Sequence, residues 1–174
     1  MGHSNSDMDC VGSSMGIYRL AKTLEKDAYI VLNPRGDNLS AFLNELNQNE
    51  EYNGIVIDSN TALGILDDDT LLVVVDTNKK NYVESPELLS SAKKIMVVDH
   101  HRRSPDYIEN ATLTFHEVYA SSASELVTEL VEYAQKEVNL TSLEAEALYS
   151  GIMMDTKNFT FKTGVRTFEA AAYL

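Results

Sequence analysis

At 174 residues the chain is long enough for one domain, and with 44% of them hydrophobic it can bury a core, which excludes a disordered segment. A formal net charge of −13 argues against a basic groove for DNA or a patch that contacts a membrane directly, although bound divalent cations would reverse the local field and admit a phosphate substrate. The lone Cys10 makes no internal disulfide and fits a reducing compartment, and no apolar run approaches the roughly 18 residues that a membrane-spanning helix needs.

In chain order, residues 9–26 read as a helix whose apolar stripe is bordered by the small residues Gly12, Ser13, Ser14 and Gly16. Such a thin face serves either close packing or the approach of a ligand. A short strand over 28–32, a turn at Asn33-Pro34-Arg35-Gly36, a helix over 39–46 and a polar loop over 47–53 follow. Residues 54–57 read as a strand and 61–66 as a short helix before the acidic turn at 67–69. The apolar run 71–75 is a strand, 86–93 a helix, 95–98 a second apolar strand, and 112–115 an edge strand. The remainder is helical. Ser122 with Glu125 and Thr141 with Glu144 have capping-box spacing and open helices over 125–138 and 143–154, and Thr163 is expected to cap a last one. The alternation of strand and helix predicts an α/β domain, a mostly parallel, doubly wound sheet with helices on both faces and a helical C-terminal part. Both ends look cut: Met1-Gly2-His3 opens on polar residues without an apolar strand to carry them, and 168–174 stops inside an amphipathic helix.

The strands over 71–75 and 95–98 both run directly into chemistry. The first delivers Asp76; the second delivers Asp99, His100, His101, Arg102 and Arg103. In open α/β sheets, ligands bind outside the carboxyl ends of the strands. His3, Asp7 and Asp9 share one tight loop ahead of the first helix, and Asp155 ends an apolar run. Mixed imidazole and carboxylate donors suit manganese, iron, cobalt or zinc, and this inventory is enough for two ions with one aspartate bridging. Two cations roughly 3.5–4 Å apart suit phosphoryl chemistry, with Arg102 and Arg103 placed to clamp phosphate oxygens. Singly, each residue has a plainer role: Asp7 and Asp9 as turn and cap, Asp76 and Asp155 as turn residues, His3 as a loose terminus. His116 reads as a packed or surface histidine, and Cys10 as core. Adjacent histidines after a buried strand are the hardest to explain by structure alone.

Asp99-His100-His101 resembles the signature of the DHH phosphoesterases, and His3-x-x-x-Asp7-x-Asp9, Asp76 and Asp155 match that family's other ligand motifs in order and spacing. Within the family, the Asp-His-His-Arg-Arg-Ser run, residues 120–126 and Gly151-Ile152-Met153-Met154-Asp155-Thr156 look most like the membrane-anchored cyclic-di-AMP phosphodiesterases of Gram-positive bacteria. The resemblance implies two manganese ions, one on His3, Asp7 and Asp76, the other on Asp9, Asp76, His100 and Asp155. It implies that His101 faces the substrate phosphate, that Asp99 orients an imidazole, that Arg102 stands nearer the site than Arg103, and that the product is linear pApA. It further implies a DHH domain over 1–174 lacking its first strand and the DHHA1 domain that closes the cleft. The parent would be a longer, membrane-anchored protein with cytoplasmic catalytic and sensor domains and a possible homodimer. The isolated chain is then expected to bind manganese weakly and turn over slowly. Competing expectations are the nanoRNA and pAp hydrolases and family II pyrophosphatases of the same superfamily, a non-catalytic nucleotide sensor, and a haloacid-dehalogenase-like phosphatase using Asp7-Met8-Asp9 as its aspartyl nucleophile pair, which leaves His100 and His101 unexplained.

Overall fold

Two buried strands, β3 (Leu71–Val75) and β4 (Lys94–Asp99), run parallel with Leu72 beside Ile95 and Val75 beside Val98. β5 (Leu113–His116) joins the other side of β4, also parallel, placing His116 beside Asp99. In this computed structural model, which describes residues 1–33 and 39–174, the predicted turn lies outside the described residues from Pro34 onward. A second parallel pair is formed by β1 (Ile30–Val31) and β2 (Val56–Ile57). Met1 sits against β3: its amino group donates to the Val73 carbonyl at 2.9 Å, and the Val75 amide donates back to Met1 at 3.0 Å.

The period-two alternation of the strands sorts their side chains onto two helical layers. Leu72, Val74, Ile95 and Val97 pack with Ala62 of α3 (Ser59–Ile65) and with Leu88 and Leu89 of α4 (Pro86–Ser91). Val73, Val75, Met96 and Val98 face Ile17 of α1 (Met8–Thr23), Leu126 and Val127 of α5 (Ala123–Glu132), and Leu148 of α6 (Ser142–Asp155). This is the doubly wound α/β arrangement that the alternation of elements predicts. Fully burying one such side chain is worth about 1.5–3 kcal/mol, and a one-residue slip would invert every face, so the register of β3 and β4 is firmly set. The positions of Asp76 and Asp99 follow from it.

The opposite side of α1 meets β1, α2 (Ser40–Gln48) and the 3₁₀ turn Glu50–Tyr52 through Val11, Met15, Tyr18, Ile30, Leu46 and Tyr52. The thin face of α1 serves packing. A Cβ added at Gly12 would stand 2.3 Å from the Ala147 carbonyl oxygen, and one at Gly16 would stand 2.5 Å from Val127. α6 returns the contact with Gly151, where a Cβ would lie 2.9 Å from the Asp9 Cα. Two helices meeting at this range bring the start of α1 beside the end of α6.

Several ends differ from the periodicity reading. α1 stops at Thr23, and Glu25 turns the chain at φ 59°. α5 stops at Glu132 because the polar residues 135–137 offer no face to bury. α7 (Val165–Tyr173) is capped by Gly164, with the Thr163 hydroxyl turned back to the Phe161 carbonyl at 3.2 Å. The Thr141–Glu144 box closes reciprocally. At Ser122 only half of the box forms: its hydroxyl accepts from the Glu125 amide, while the Glu125 carboxylate accepts from Ser121 and Thr167 instead. Among the described residues no helix is long and apolar enough to cross a membrane.

Candidate metal centre

The carboxyl ends of β3 and β4, the loop before α1 and the last turn of α6 converge on one cluster. Asp76 follows β3 at φ 58°, in the left-handed region that aspartate tolerates better than most residues, and its amide still donates to the Val98 carbonyl at 2.9 Å. Its carboxylate is divided between two imidazoles: Oδ2 lies 3.2 Å from His3 Nε2, and Oδ1 lies 3.3 Å from His100 Nε2. Around His3 the third member is Asp7, with Oδ2 at 3.7 Å. Around His100 the others are Asp155 at 3.2 Å and Asp9 at 3.7 Å. Ligand-type atoms within each of the groups His3–Asp7–Asp76, Asp9–His100–Asp155 and Asp76–His100–His101 lie within 4.8 Å of one another. Asp76 thus stands between two sets of donors.

Each donor is held by its element. Asp7 does both things the sequence allowed: its Oδ1 caps α1 by accepting from the Asp9 and Cys10 amides, while Oδ2 faces His3. Asp9 is fully buried on the N-terminus of α5, where its two oxygens accept from the Ala123 amide at 2.8 Å and the Ser124 amide at 2.7 Å. A carboxylate on the positive end of a helix is well placed. Asp155 comes four residues after Gly151, hence on the same face of α6, and points where that close contact leads. Beyond it, Lys157, Asn158 and Phe159 all have positive φ, at 48°, 58° and 61°. Left-handed residues cost roughly 1–2 kcal/mol each, so the turn needs support. Thr156 supplies it by donating to the Ile152 carbonyl at 2.7 Å and accepting from the Phe159 amide at 3.0 Å. His3 is stacked on Tyr82 with ring centroids 5.2 Å apart.

The cluster is electrostatically incomplete. His3 Nδ1, both ring nitrogens of His100 and Asp76 Oδ1 are buried without a hydrogen-bond partner among the described residues. Unpaired buried polar atoms are costly, and here Asp76 Oδ1 and His100 Nε2 face the same small space. For His3, burial works to lower the pKa, but the Asp7 and Asp76 carboxylates outweigh it and raise the value to about 10. His100 follows the same pattern: burial lowers, Asp155 and Asp76 raise, and the value again reaches about 10. Burial would raise Asp76, yet His100 and His3 bring it down to about 2. Asp9 is pushed well above the usual carboxylate range by burial, then by Asp76 and Asp155. Without a cation the acids are offset by protons on the two imidazoles; a divalent ion in either group would replace them. The orphaned atoms and the mixed donor set both fit metal.

His101 behaves differently from its neighbour. Its side chain is 52% exposed, and its Nδ1 is 2.9 Å from Oδ1 of the fully buried Asp99. Arg102 is exposed, and among the described residues its guanidinium has no partner; Arg103 lies over the Tyr107 ring at 4.7 Å. The six expected ligands are therefore gathered, with His101 and Asp99 beside them, while Arg102 is exposed next to His101 in the chain. The acidic turn at 67–69 is solvated and meets Lys93 and Lys94. Cys10 is buried core.

Residues 1–152 match the family model described as the DHH family, N-terminal domain. The chain belongs to the DHH family. It is 45% identical over 179 residues to the cyclic-di-AMP phosphodiesterase PdeA of Listeria monocytogenes, and 43% identical over 176 residues to the cyclic-di-AMP phosphodiesterase GdpP of Bacillus subtilis. Both alignments take in the whole of this chain but 27% of the relative, so this DHH chain spans about a quarter of the length of these curated relatives. Among solved structures, an exopolyphosphatase-related protein from Bacteroides fragilis superposes with a TM-score of 0.78, covering 99% of this chain and 50% of that one. At 20% identity this shows that the DHH fold is shared.

Three supporting features escaped the sequence reading. Asn78 is buried and donates to Asp99, to the His101 carbonyl at 3.3 Å and to the Arg102 carbonyl at 3.4 Å. His116 donates to the same His101 carbonyl. The amides that hold Asp9 are backbone groups and leave no mark in residue identity. Asn78, two residues after Asp76, and His116, one residue past a predicted strand, did carry a positional signal.

Proposed function

We propose that this DHH domain is the catalytic part of a metal-dependent phosphodiesterase that opens cyclic-di-AMP to linear pApA. The observation that carries this reading is the division of the Asp76 carboxylate between the His3–Asp7 and the His100–Asp9–Asp155 groups, an arrangement that two adjoining cations sharing one ligand would require. The choice of cyclic dinucleotide is supported by the full-length match to the two phosphodiesterases. Two manganese ions suit the imidazole and carboxylate donors, and when bound they would supply Lewis acidity and an activated water for in-line attack on phosphorus.

The chain's own residues then divide the remaining work. His3, Asp7 and Asp76 would hold one ion, and Asp9, Asp76, His100 and Asp155 would hold the other. Asp99 accepts from His101 Nδ1–H and would stabilise the imidazolium form, in which the second proton, on Nε2, can be donated to a phosphate oxygen or passed to the leaving oxygen. Arg102, exposed and without a partner among the described residues, is available to meet a non-bridging oxygen. As part of the same reading, the parent is a longer, membrane-anchored protein of the kind these relatives represent, whose neighbouring domains complete the substrate cleft.

Hydrolysis of cyclic-di-AMP by the parent-length protein tests the proposal. Manganese-dependent accumulation of pApA, abolished in Asp76→Ala and His100→Ala, is the expected result. Release of AMP from pApA with no turnover of cyclic-di-AMP would contradict it.

A further inference from the structure

The loop that leaves β4 has no regular secondary structure, yet it must aim His100 and His101 at different tasks. It is pinned from the strands on both sides of β4. From the β3 side, Asn78 Nδ2 reaches Asp99 Oδ2 and the His101 carbonyl, and Asn78 Oδ1 accepts from the Ser104 amide at 3.4 Å. From the β5 side, His116 Nε2 lies 2.5 Å from the His101 carbonyl oxygen and 3.9 Å from Asp99 Oδ2. Both neighbours are acceptors, so Nε2 carries the proton. Because Asn78 occupies Asp99 Oδ2, the other oxygen is left to His101 Nδ1 at 2.9 Å.

His116 is unlike Asn78 in being separable from the core. It ends an edge strand, its side chain keeps 15% exposure, and its Nε2 approaches only main-chain and carboxylate oxygens of the loop. We propose that His116 is a positioning residue for the reaction proposed above: its Nε2–H closes the β5 side of the loop and, opposite Asn78, keeps His101 seated on Asp99. It touches neither substrate nor metal donor atoms and acts through His101.

The test compares His116→Ala with His116→Gln, whose amide nitrogen can reach the same carbonyl. In the parent protein with manganese and cyclic-di-AMP, the alanine variant should lose about 10–100-fold in kcat with KM and manganese affinity nearly unchanged, as for other groups that orient a functional side chain. The glutamine variant should recover most of that loss. In the metal-free chain, the His101 Nδ1–H resonance should be sharp and downfield in the wild type and in His116→Gln, and broadened or shifted in His116→Ala. Unchanged kcat and an unchanged resonance in His116→Ala would overturn the proposal. So would a loss of manganese binding that glutamine fails to restore, which would mark a merely structural residue. Because the proposal rests on the phosphodiesterase reading, the resonance decides it even if cyclic-di-AMP is not hydrolysed.

Discussion

α1 and α6 carry two buried clusters of charge, one at each end of their shared contact, and the two are built on opposite terms. At the end defined by Arg19 and Glu144 everything is paired. Arg19 Nε donates to both oxygens of the fully buried Glu144, its Nη2 donates to Glu51 at 2.5 Å, and Glu144 closes the capping box with Thr141. At the end defined by Asp9 and Asp155, four carboxylates and two imidazoles crowd together with donors and acceptors left over. The first is a brace that needs nothing more. The second is a set of ligands kept in register by the same pair of helices, and its unpaired atoms define the space for a cation.

Removing a donor from the incomplete cluster should have the largest effect. Asp155→Ala takes a ligand from the His100 group alone. It should weaken one of two manganese equivalents by more than the roughly 100-fold typical of a lost supporting group, and spare the other. Titration calorimetry reads both. The brace should fail in stability instead: Glu144→Ala takes the buried partner from Arg19, leaving it only the half-exposed Glu51, and opens the side-chain half of the capping box, costing about 1.5–3 kcal/mol in denaturant unfolding of the metal-free chain. Its manganese stoichiometry should be unchanged.

Gly151→Ala is intermediate, because it acts on the contact that both clusters share. The new methyl would stand 2.9 Å from the Asp9 Cα, and overpacking of this kind costs about 1–3 kcal/mol. Unlike Glu144→Ala, it should also reduce manganese affinity, since the strain falls on a ligand.

The smallest effect is one of pH. In the metal-free chain His3 and His100 titrate near 10 rather than near 6.5. Their contribution to stability is therefore fully present below about 6.5 and is lost as the pH rises through about 10. Manganese must displace those same protons, so its affinity should climb over that interval, with proton release visible in buffers of different ionisation enthalpy. Affinity falling as pH rises would contradict the assignment of the two imidazoles as ligands.

The sequence carried the fold well where burial is two-sided. The apolar runs at 71–75 and 95–98 have little freedom to be anything but interior strands, and the ligands at their ends came with them. It carried the site as a list of side chains. Adjacent histidines after a strand, and acids at the starts and ends of helices, are visible one by one. What residue identity cannot express is which carboxylate stands between two groups, because that depends on the turn at Asp76 and on the closeness of α1 and α6. Gly12 and Gly16 hinted at that closeness without naming the partner. Asp9 is fastened by main-chain amides, which every residue possesses. His116 looked ordinary because its partner is a main-chain carbonyl fifteen residues away.

The most direct measurement is the manganese stoichiometry of the chain beside that of Asp76→Asn. Two equivalents per chain in the wild type, both weakened together in the variant, are what a shared carboxylate between His3 and His100 predicts. A single equivalent in the wild type, or two that survive Asp76→Asn undiminished, would contradict it.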